Sequence, residues 1–188
     1  MIRKRMALLL SALFCVSVFS SCGVFSLISH KLDSGEYSPS DWSSDDMPFA
    51  KSTMAAVLKC LDEDDCDSLK ALFSEAVISE YDIDKQIDEA MEFYEGVSVS
   101  HDTVHNEIQS SHFRVDYYSY KSIRTTMDNV VTDQGGKYDI EVIYVLVDEE
   151  DASQIGISQL FIWNSDNPEE CYYLLGYNGN FPKDTYQY

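Results

Sequence analysis

The sequence predicts an α+β fold in which helices come first and an antiparallel sheet follows. Before Gly96, apolar residues recur at helical spacing; after it, they recur at alternate positions, which is the period of a strand. Turn-forming stretches then divide the second half into short extended segments, as in an antiparallel meander.

Three amphipathic helices are predicted before Gly96. Ser52 or Thr53 can cap the first, and the acidic run 62–65 precedes the second, where the helix dipole favours negative charge. The third opens at Asp84 and ends before Gly96, a residue that commonly stops helices. The apolar stripes consist of Met54, Val57, Leu58 and Leu61, then Leu69, Leu72, Phe73, Ala76 and Val77, then Ile87, Ala90, Met91 and Tyr94.

The second half predicts strands separated by turns. The stretch 138–147 has the clearest alternation and becomes apolar on both faces, which is typical of a central strand. Extended segments within 113–131 place Ile123, Thr125, Met127 and Val131 on one side. The other predicted strands are 97–100, 155–163 and 171–177, and the predicted turns are 133–136, 148–154 and 164–170.

The N-terminus has the organisation of a secretion signal. Residues 1–5 form a short cationic head with three basic residues at 3–5, and residues 6–19 are almost wholly apolar, a stretch that is short for a transmembrane helix. Ser20 and Ser21 precede Cys22 and resemble the lipobox of bacterial lipoproteins, although Phe19 stands where an aliphatic residue is usual. The resemblance implies cleavage between Ser21 and Cys22 and lipid attachment to Cys22. An uncleaved anchor helix or cleavage elsewhere are the alternatives.

Three regions follow from this reading of the chain. They are a lipoprotein signal peptide (1–21), a flexible acidic tether (22–48) rich in turn formers, and a single α+β domain (49–188). Loss of the basic residues 3–5 with the signal takes the formal net charge from −20 to −23. Such acidity disfavours nucleic acid, because phosphate binding requires Lys and Arg. The expected partners are the membrane, through the lipid, and an unknown ligand or protein of the cell envelope.

The remaining cysteines leave one pairing open. Cys60, Cys66 and Cys171 are expected in the mature chain, and an odd number cannot all pair within it. Cys60 and Cys66 flank a predicted corner between helices, so a short-range disulfide and free thiols are both compatible with the sequence.

Metal and cofactor motifs are weak throughout. His101 and His105 would lie about 13 Å apart along a strand, too far to share one ion. The acidic run 62–67 lacks the glycine and the terminal glutamate of an EF-hand loop, so a helix-capping corner is the simpler interpretation. We therefore predict no metal and no cofactor.

Tyrosines and carboxylates are the remaining candidates for binding or catalysis. The tyrosines could stack on a ligand in a concavity or pack within the sheet, and the carboxylates could serve acid–base chemistry if buried. The tyrosines are Tyr117, Tyr118, Tyr120, Tyr144, Tyr172, Tyr173 and Tyr177, and the carboxylates are Asp116, Asp128, Asp139 and Glu141.

Four short segments carry a resemblance to a known fold. They are residues 69–74, 93–96, 132–138 and 155–157, and the resemblance covers most of residues 50–178. The chain resembles the nuclear-transport-factor-like fold, and more closely a family of uncharacterised Gram-positive lipoproteins with a domain of unknown function. The resemblance implies a cone in which helices pack into a strongly curved sheet. It implies no active site.

The leading functional expectation is a membrane-anchored extracytoplasmic lipoprotein that binds a ligand or partner without catalysis. One alternative is a small-molecule enzyme that uses a carboxylate in the cone pocket. The other is a dimeric assembly or regulatory component whose sheet forms the dimer face. A pocket with a buried carboxylate beside a tyrosine would favour the enzyme, whereas an interior filled with apolar side chains would favour binding at the outer surface.

Overall fold

The computed structural model describes residues 37–41, 45–167 and 172–176, with the side chains of Tyr172 and Tyr173 excepted. The predicted signal peptide, Cys22, most of the predicted tether, Cys171 and Tyr177 lie outside the described residues. Residues 39–188 form one compact unit, and its described part is α+β, as predicted.

In the described part of the chain, four helices precede the sheet, and the first of them begins earlier than predicted. The helix begins at Met47, so Ser52 and Thr53 lie inside it and do not cap it. Pro48 occupies the first turn, where proline is well tolerated. The helices are α1 (Met47–Glu63), α2 (Cys66–Lys70), α3 (Glu75–Glu80) and α4 (Ile83–Phe93).

The predicted second helix is wrong as a single element. Its apolar stripe is interrupted at Leu72 and Phe73, which form a short parallel bridge with Ile157. The Ile157 N–H donates to the Leu72 carbonyl (2.9 Å), and the Ser74 N–H donates to the Ile157 carbonyl (3.0 Å). Ser74 then caps α3 by accepting from the Val77 N–H. Tertiary pairing thus overrides helical spacing at this point.

Among the described residues, six antiparallel strands form one open sheet. Its order is β1-β3-β4-β5-β6, and β2 also pairs with β3, so β1 and β2 share one edge. The strands are β1 (Ser98–Ser100), β2 (His105–Arg114), β3 (Tyr117–Thr132), β4 (Lys137–Asp148), β5 (Gly156–Asn164) and β6 (Tyr172–Leu175). The predicted turn at 133–136 joins β3 to β4, which confirms that hairpin.

A bulge in β3 changes which residue faces the core. Ile123 and Met127 are buried as predicted, but beyond them the buried residue is Val130 and not Val131. The register with β4 shifts between Met127 and Val130, and Asn129 has φ +53°, a left-handed conformation that asparagine tolerates. One extra residue moves the following side chains to the other face.

The hydrophobic core lies between the helices and one face of the sheet. Phe49 of α1 meets the Tyr144 ring edge-on at 4.9 Å, which fixes α1 across β4. The fully buried side chains around this contact include Met54, Leu69, Ile83, Ile87, Ile123, Ile140, Ile157, Leu160 and Ile162.

The C-terminal end of the predicted tether contacts the domain. Asp41 forms an isolated bridge with Tyr117, and the Tyr118 N–H donates to the Ser40 carbonyl (2.8 Å). The described chain before α1 therefore passes beside the start of β3.

Candidate functional site

The space between the helices and the sheet is core and not a pocket in the described part of the chain. Met54 and Leu69 from the helices and Ile123, Ile140 and Leu160 from the sheet are each 0% exposed. Protein interiors are close-packed, so side chains buried in this way occupy the volume that a ligand would need. The enzyme alternative expects a carboxylate-lined pocket here, and the described residues fill that space.

A groove of about 650 Å³ opens at the side of the molecule, between α1 and the residues around β1. Its floor includes the apolar side chains of Leu58, Val104 and Met127, and Lys51 and Lys59 lie on the α1 side. The other lining residues used below are Ala55, Asp62, Val97, His101 and Asp102. An apolar floor with charged groups at the rim is typical of a binding site.

The α1 wall of this groove comes from a second stripe of the helix. Lys51, Ala55, Leu58 and Asp62 recur at intervals of four and three, so they share one side. From the sequence, Leu58 was identified as part of the apolar stripe and Asp62 as part of the acidic run 62–67. Lys51 and Ala55 carry no motif, so the register of α1 against the sheet was needed to find this second stripe.

Hydrogen bonds to β3 hold the opposite wall in place. The Asp102 N–H donates to the Asp128 carbonyl (2.9 Å), and the Asn129 side-chain amide donates to the Asp102 carboxylate (2.6 Å). His101 Nδ1 lies 2.7 Å from the Asp102 carbonyl oxygen. The bulge at Asn129 therefore orders the loop that carries His101, and the groove is largely pre-formed.

His101 and His105 do not converge on a metal site, and neither does His112. His101 lies in this loop, whereas His105 begins β2 and His112 lies near its other end. Within residues 37–41, 45–167 and 172–176, no three His, Cys, Asp or Glu side chains are grouped as a metal site requires. In the acidic run 62–67, Asp65 caps α2 by accepting from the Ser68 N–H (3.0 Å), as the capping interpretation predicts.

Asp62, at one end of the groove, is held in a structural network. Its carboxylate accepts from the Ser98 N–H (2.8 Å), the Ser98 hydroxyl (2.5 Å) and the Tyr94 hydroxyl (3.0 Å). Burial and then the negative charge of Asp62 raise the pKa of Tyr94, so this hydroxyl stays protonated at neutral pH. The network joins α1, β1 and the end of α4, and it leaves this pair poorly suited to proton transfer.

Among the candidate tyrosines, Tyr118, Tyr120 and Tyr144 contact other side chains of the fold, whereas Tyr117 is 38% exposed. Tyr144 contacts Phe49, and the Tyr118 ring lies 4.8 Å from the Lys121 ammonium. Tyr120 lies beside His112, with ring centroids 5.6 Å apart. None of the described members of the set lines the groove, which agrees with sheet packing. The Tyr172 and Tyr173 side chains and Tyr177 lie outside the described residues.

A smaller pocket of about 370 Å³ lies beside Tyr120 and the turn after β4. Its acidic side chains accept hydrogen bonds from the turn itself. Asp148 accepts from the N–H groups of Glu150 and Asp151 at 3.0 Å each. Hydrogen bonds from Ser153 and Gln154 lower the pKa of Asp151. These carboxylates order the turn, as the sequence analysis expects for 148–151.

The four candidate carboxylates do not meet in a pocket. Asp116 and Asp128 are exposed and Asp139 is half-buried, whereas Glu141 is buried. Along β4, Glu141 alternates with the core residues Ile140 and Val142 and so faces away from the helices.

The pKa of Glu141 is raised above its ordinary value. Burial raises its pKa, the nearby Arg124 guanidinium (3.3 Å) opposes this, and Glu107 and Asp128 raise it further. Arg124 also pairs with Glu107 at 3.4 Å. On β5, paired with β4, the Phe161 and Trp163 rings stack 5.4 Å apart. Glu141, Arg124 and Glu107 thus form a cluster of ion pairs on one face of the sheet.

A buried ion pair escaped the sequence analysis. The Lys121 ammonium lies 2.7–2.8 Å from the two Asp46 carboxylate oxygens, and the side chains are 1% and 6% exposed. It ties the start of α1 to β3. Only the long-range fold brings these residues together, so no local motif could have indicated it.

The Cys60–Cys66 pair is present as two free thiols, so the disulfide alternative is not formed in this structure. Burial raises the pKa of the Cys60 thiol to about 12, and burial together with nearby acidic residues raises that of Cys66. Both thiols are therefore poor nucleophiles at neutral pH.

The described residues form a small α+β module with a packed interior and a lateral groove. The chain belongs to a family described as a domain of unknown function (DUF5104), whose model matches residues 56–165. This range contains the last eight residues of α1 and all of β1 to β5, including every groove residue except Lys51 and Ala55.

No curated protein matches the chain. Within the described residues, no helix combines the length and hydropathy needed to cross a bilayer.

Proposed function

We propose that this protein is a lipid-anchored module on the outer face of a Gram-positive cell membrane, where it binds an envelope partner without catalysis. The observation that carries the binding role is the combination of a filled interior with a pre-formed lateral groove. The apolar floor at Leu58, Val104 and Met127 can cover an apolar part of the partner. Lys51 and Lys59 can meet acidic groups beside it.

The order of helices and sheet supports a nuclear-transport-factor-like arrangement as part of this proposal. The helices precede the sheet, and α1 lies across one of its faces through contacts such as Phe49 with Tyr144. In this proposal the cone is a rigid support for the groove and not a container for a ligand. The packing of Ile123, Ile140 and Leu160 supports that view.

The enzyme alternative receives less support from the described residues. Glu141, the most buried of the candidate carboxylates, faces away from the helices and pairs with Arg124. The Asp62 carboxylate in the groove accepts hydrogen bonds from Ser98 and Tyr94. Acid–base catalysis needs a group free to exchange a proton with a bound substrate, and neither carboxylate is placed for that.

Photo-cross-linking in the host cell tests the binding role. A photoreactive residue replaces Val97, which lines the groove and is 47% exposed; the matched control replaces Val99, which is 65% exposed and does not line it. We expect one dominant adduct from position 97 and none from position 99. Ala55→Arg, which places a long charged side chain in the groove, should abolish the adduct. Equal adducts at both positions, or an adduct unaffected by Ala55→Arg, would refute binding in the groove.

A further inference from the structure

β2 is a long edge strand with almost all of its surface exposed. Nine of its ten residues are exposed and Asn106 is half-buried. It pairs with β3 along one side, and no strand among the described residues pairs with the other. An edge of this kind presents a row of backbone donors and acceptors to any strand that approaches.

The usual devices that protect a sheet edge are sparse in β2. It contains no proline and no lysine. Its pairing with β3 shifts register twice, at the extra residue Gln109 in β2 and at the extra residue Ser119 in β3, so β2 itself contains one bulge within the described pairing. Ile108 and Phe113 are 48% and 51% exposed. A ten-residue edge with exposed apolar side chains fits a strand that is covered by a partner.

The two charged side chains of β2, Glu107 and Arg114, favour a second copy of the same chain beside this strand. The chain carries a net charge of −20, so most surfaces of two copies repel each other. In β2 the single acid, Glu107, and the single base, Arg114, lie near opposite ends. When two β2 strands pair antiparallel, Glu107 of each copy lies near Arg114 of the other, which gives two favourable charge contacts.

The bulge at Gln109 allows a register between two β2 strands in which paired side chains lie on the same face of the joined sheet. Opposite β3, Ile108 pairs with Ile123 and Phe113 with Tyr118, whereas Glu107 and Arg114 lie on the other face once Gln109 is allowed for. A two-fold axis at Ser111 then places Glu107 opposite Arg114 and Ile108 opposite Phe113, each pair on one face. Glu107 and Arg114 are 64% and 57% exposed and can reorient.

We propose that β2 is a homodimer interface in which two copies join their sheets antiparallel about Ser111. The inference goes beyond the groove-binding function and does not depend on it or on the lipid anchor. The contact is isologous, so it closes on itself and leaves neither β2 edge open.

Cysteine cross-linking of the full-length protein in host membranes tests the interface. Ser111→Cys places one thiol on the axis, where paired Cα atoms about 4.5–5.5 Å apart suit a disulfide. We expect mild oxidation to yield a species of twice the protomer mass, in excess of wild type and of Val99→Cys. A yield equal to either control, or an adduct with a different protein, would overturn the proposal.

Two further variants test the register and guard against misfolding at position 111. Ile108→Cys with Phe113→Cys in one chain should cross-link, whereas each single change should not. Added to Ser111→Cys, Glu107→Arg should slow cross-linking about tenfold or more, because like charges then face each other at both ends. Arg114→Glu should restore the rate, and a failure of this rescue would contradict the antiparallel register.

Discussion

Lys121 and Asp46 form an ion pair that is almost completely removed from solvent. Removing one partner of a buried pair leaves an uncompensated charge, which costs about 3–5 kcal/mol. We therefore expect Lys121→Met to lower the free energy of unfolding by about that amount in urea denaturation. Lys137→Met is the control, because its pair with Asp166 is 48% and 67% exposed and should contribute about 0–1 kcal/mol. Equal losses in the two variants would contradict a buried pair.

The raised pKa of Glu141 leads us to expect that the stability of the folded domain depends on pH. The pKa of this carboxylate is raised above the usual 4.5, first by burial, so the folded state holds the proton more tightly than the unfolded state. Its contribution to stability therefore falls as the pH rises from 4.5 through the folded-state pKa. We expect the unfolding free energy of the wild type to fall relative to Glu141→Gln over this window. A difference between the two proteins that is constant with pH would contradict the assignment.

Residue-level chemistry was the part of the site least accessible from sequence. Alternation along β4 could be predicted, yet which face receives the helices could not, so Glu141 was only one of four candidate carboxylates. Likewise, the sequence indicated only that His101 and His105 are too far apart to share one ion, whereas the place of His101 on the groove wall depends on Asp102 and the bulge at Asn129. Such relations arise from contacts between residues distant in the chain.

At the scale of elements, Gly156 joins the helical layer to β5. It has φ +138°, and a Cβ there would lie 2.7 Å from the Ser74 backbone nitrogen. Gly135 also has a positive φ, +85°, but a Cβ there would meet nothing within 4 Å. We expect Gly135→Ala to cost about 1–2 kcal/mol from backbone strain alone. Gly156→Ala should cost about 1–3 kcal/mol more, because the backbone of Ser74 must move. Equal urea midpoints would contradict this close approach.

Elements with a strong local signal were predicted well. The hairpin at 133–136 and the central strand β4 follow from turn chemistry and alternation, and both are confirmed. The break at Leu72 and Phe73 was missed because it arises from a bridge to Ile157, far along the chain. Much of β2 was also missed, since its polar, exposed sequence has no buried face to impose alternation.

For the whole molecule, the α+β class was predictable because the hydrophobic period changes at Gly96. The filled interior was not, because it depends on how side chains from α1, α2 and the sheet interlock. The strongly acidic composition and the apolar N-terminal segment support a single account. In the proposed account, an acidic domain is held near a membrane by a lipid and binds a partner through its lateral groove.

Metabolic labelling with a fatty acid tests the central claim, that Cys22 carries the anchor. We expect the wild type to be labelled and Cys22→Ala to lose the label, since lipid attachment requires that thiol. Cys66→Ala is the control and should remain labelled, because its thiol is half-buried and beside Asp88 in the folded domain. Labelling that persists in Cys22→Ala would contradict the account of a lipid-anchored module.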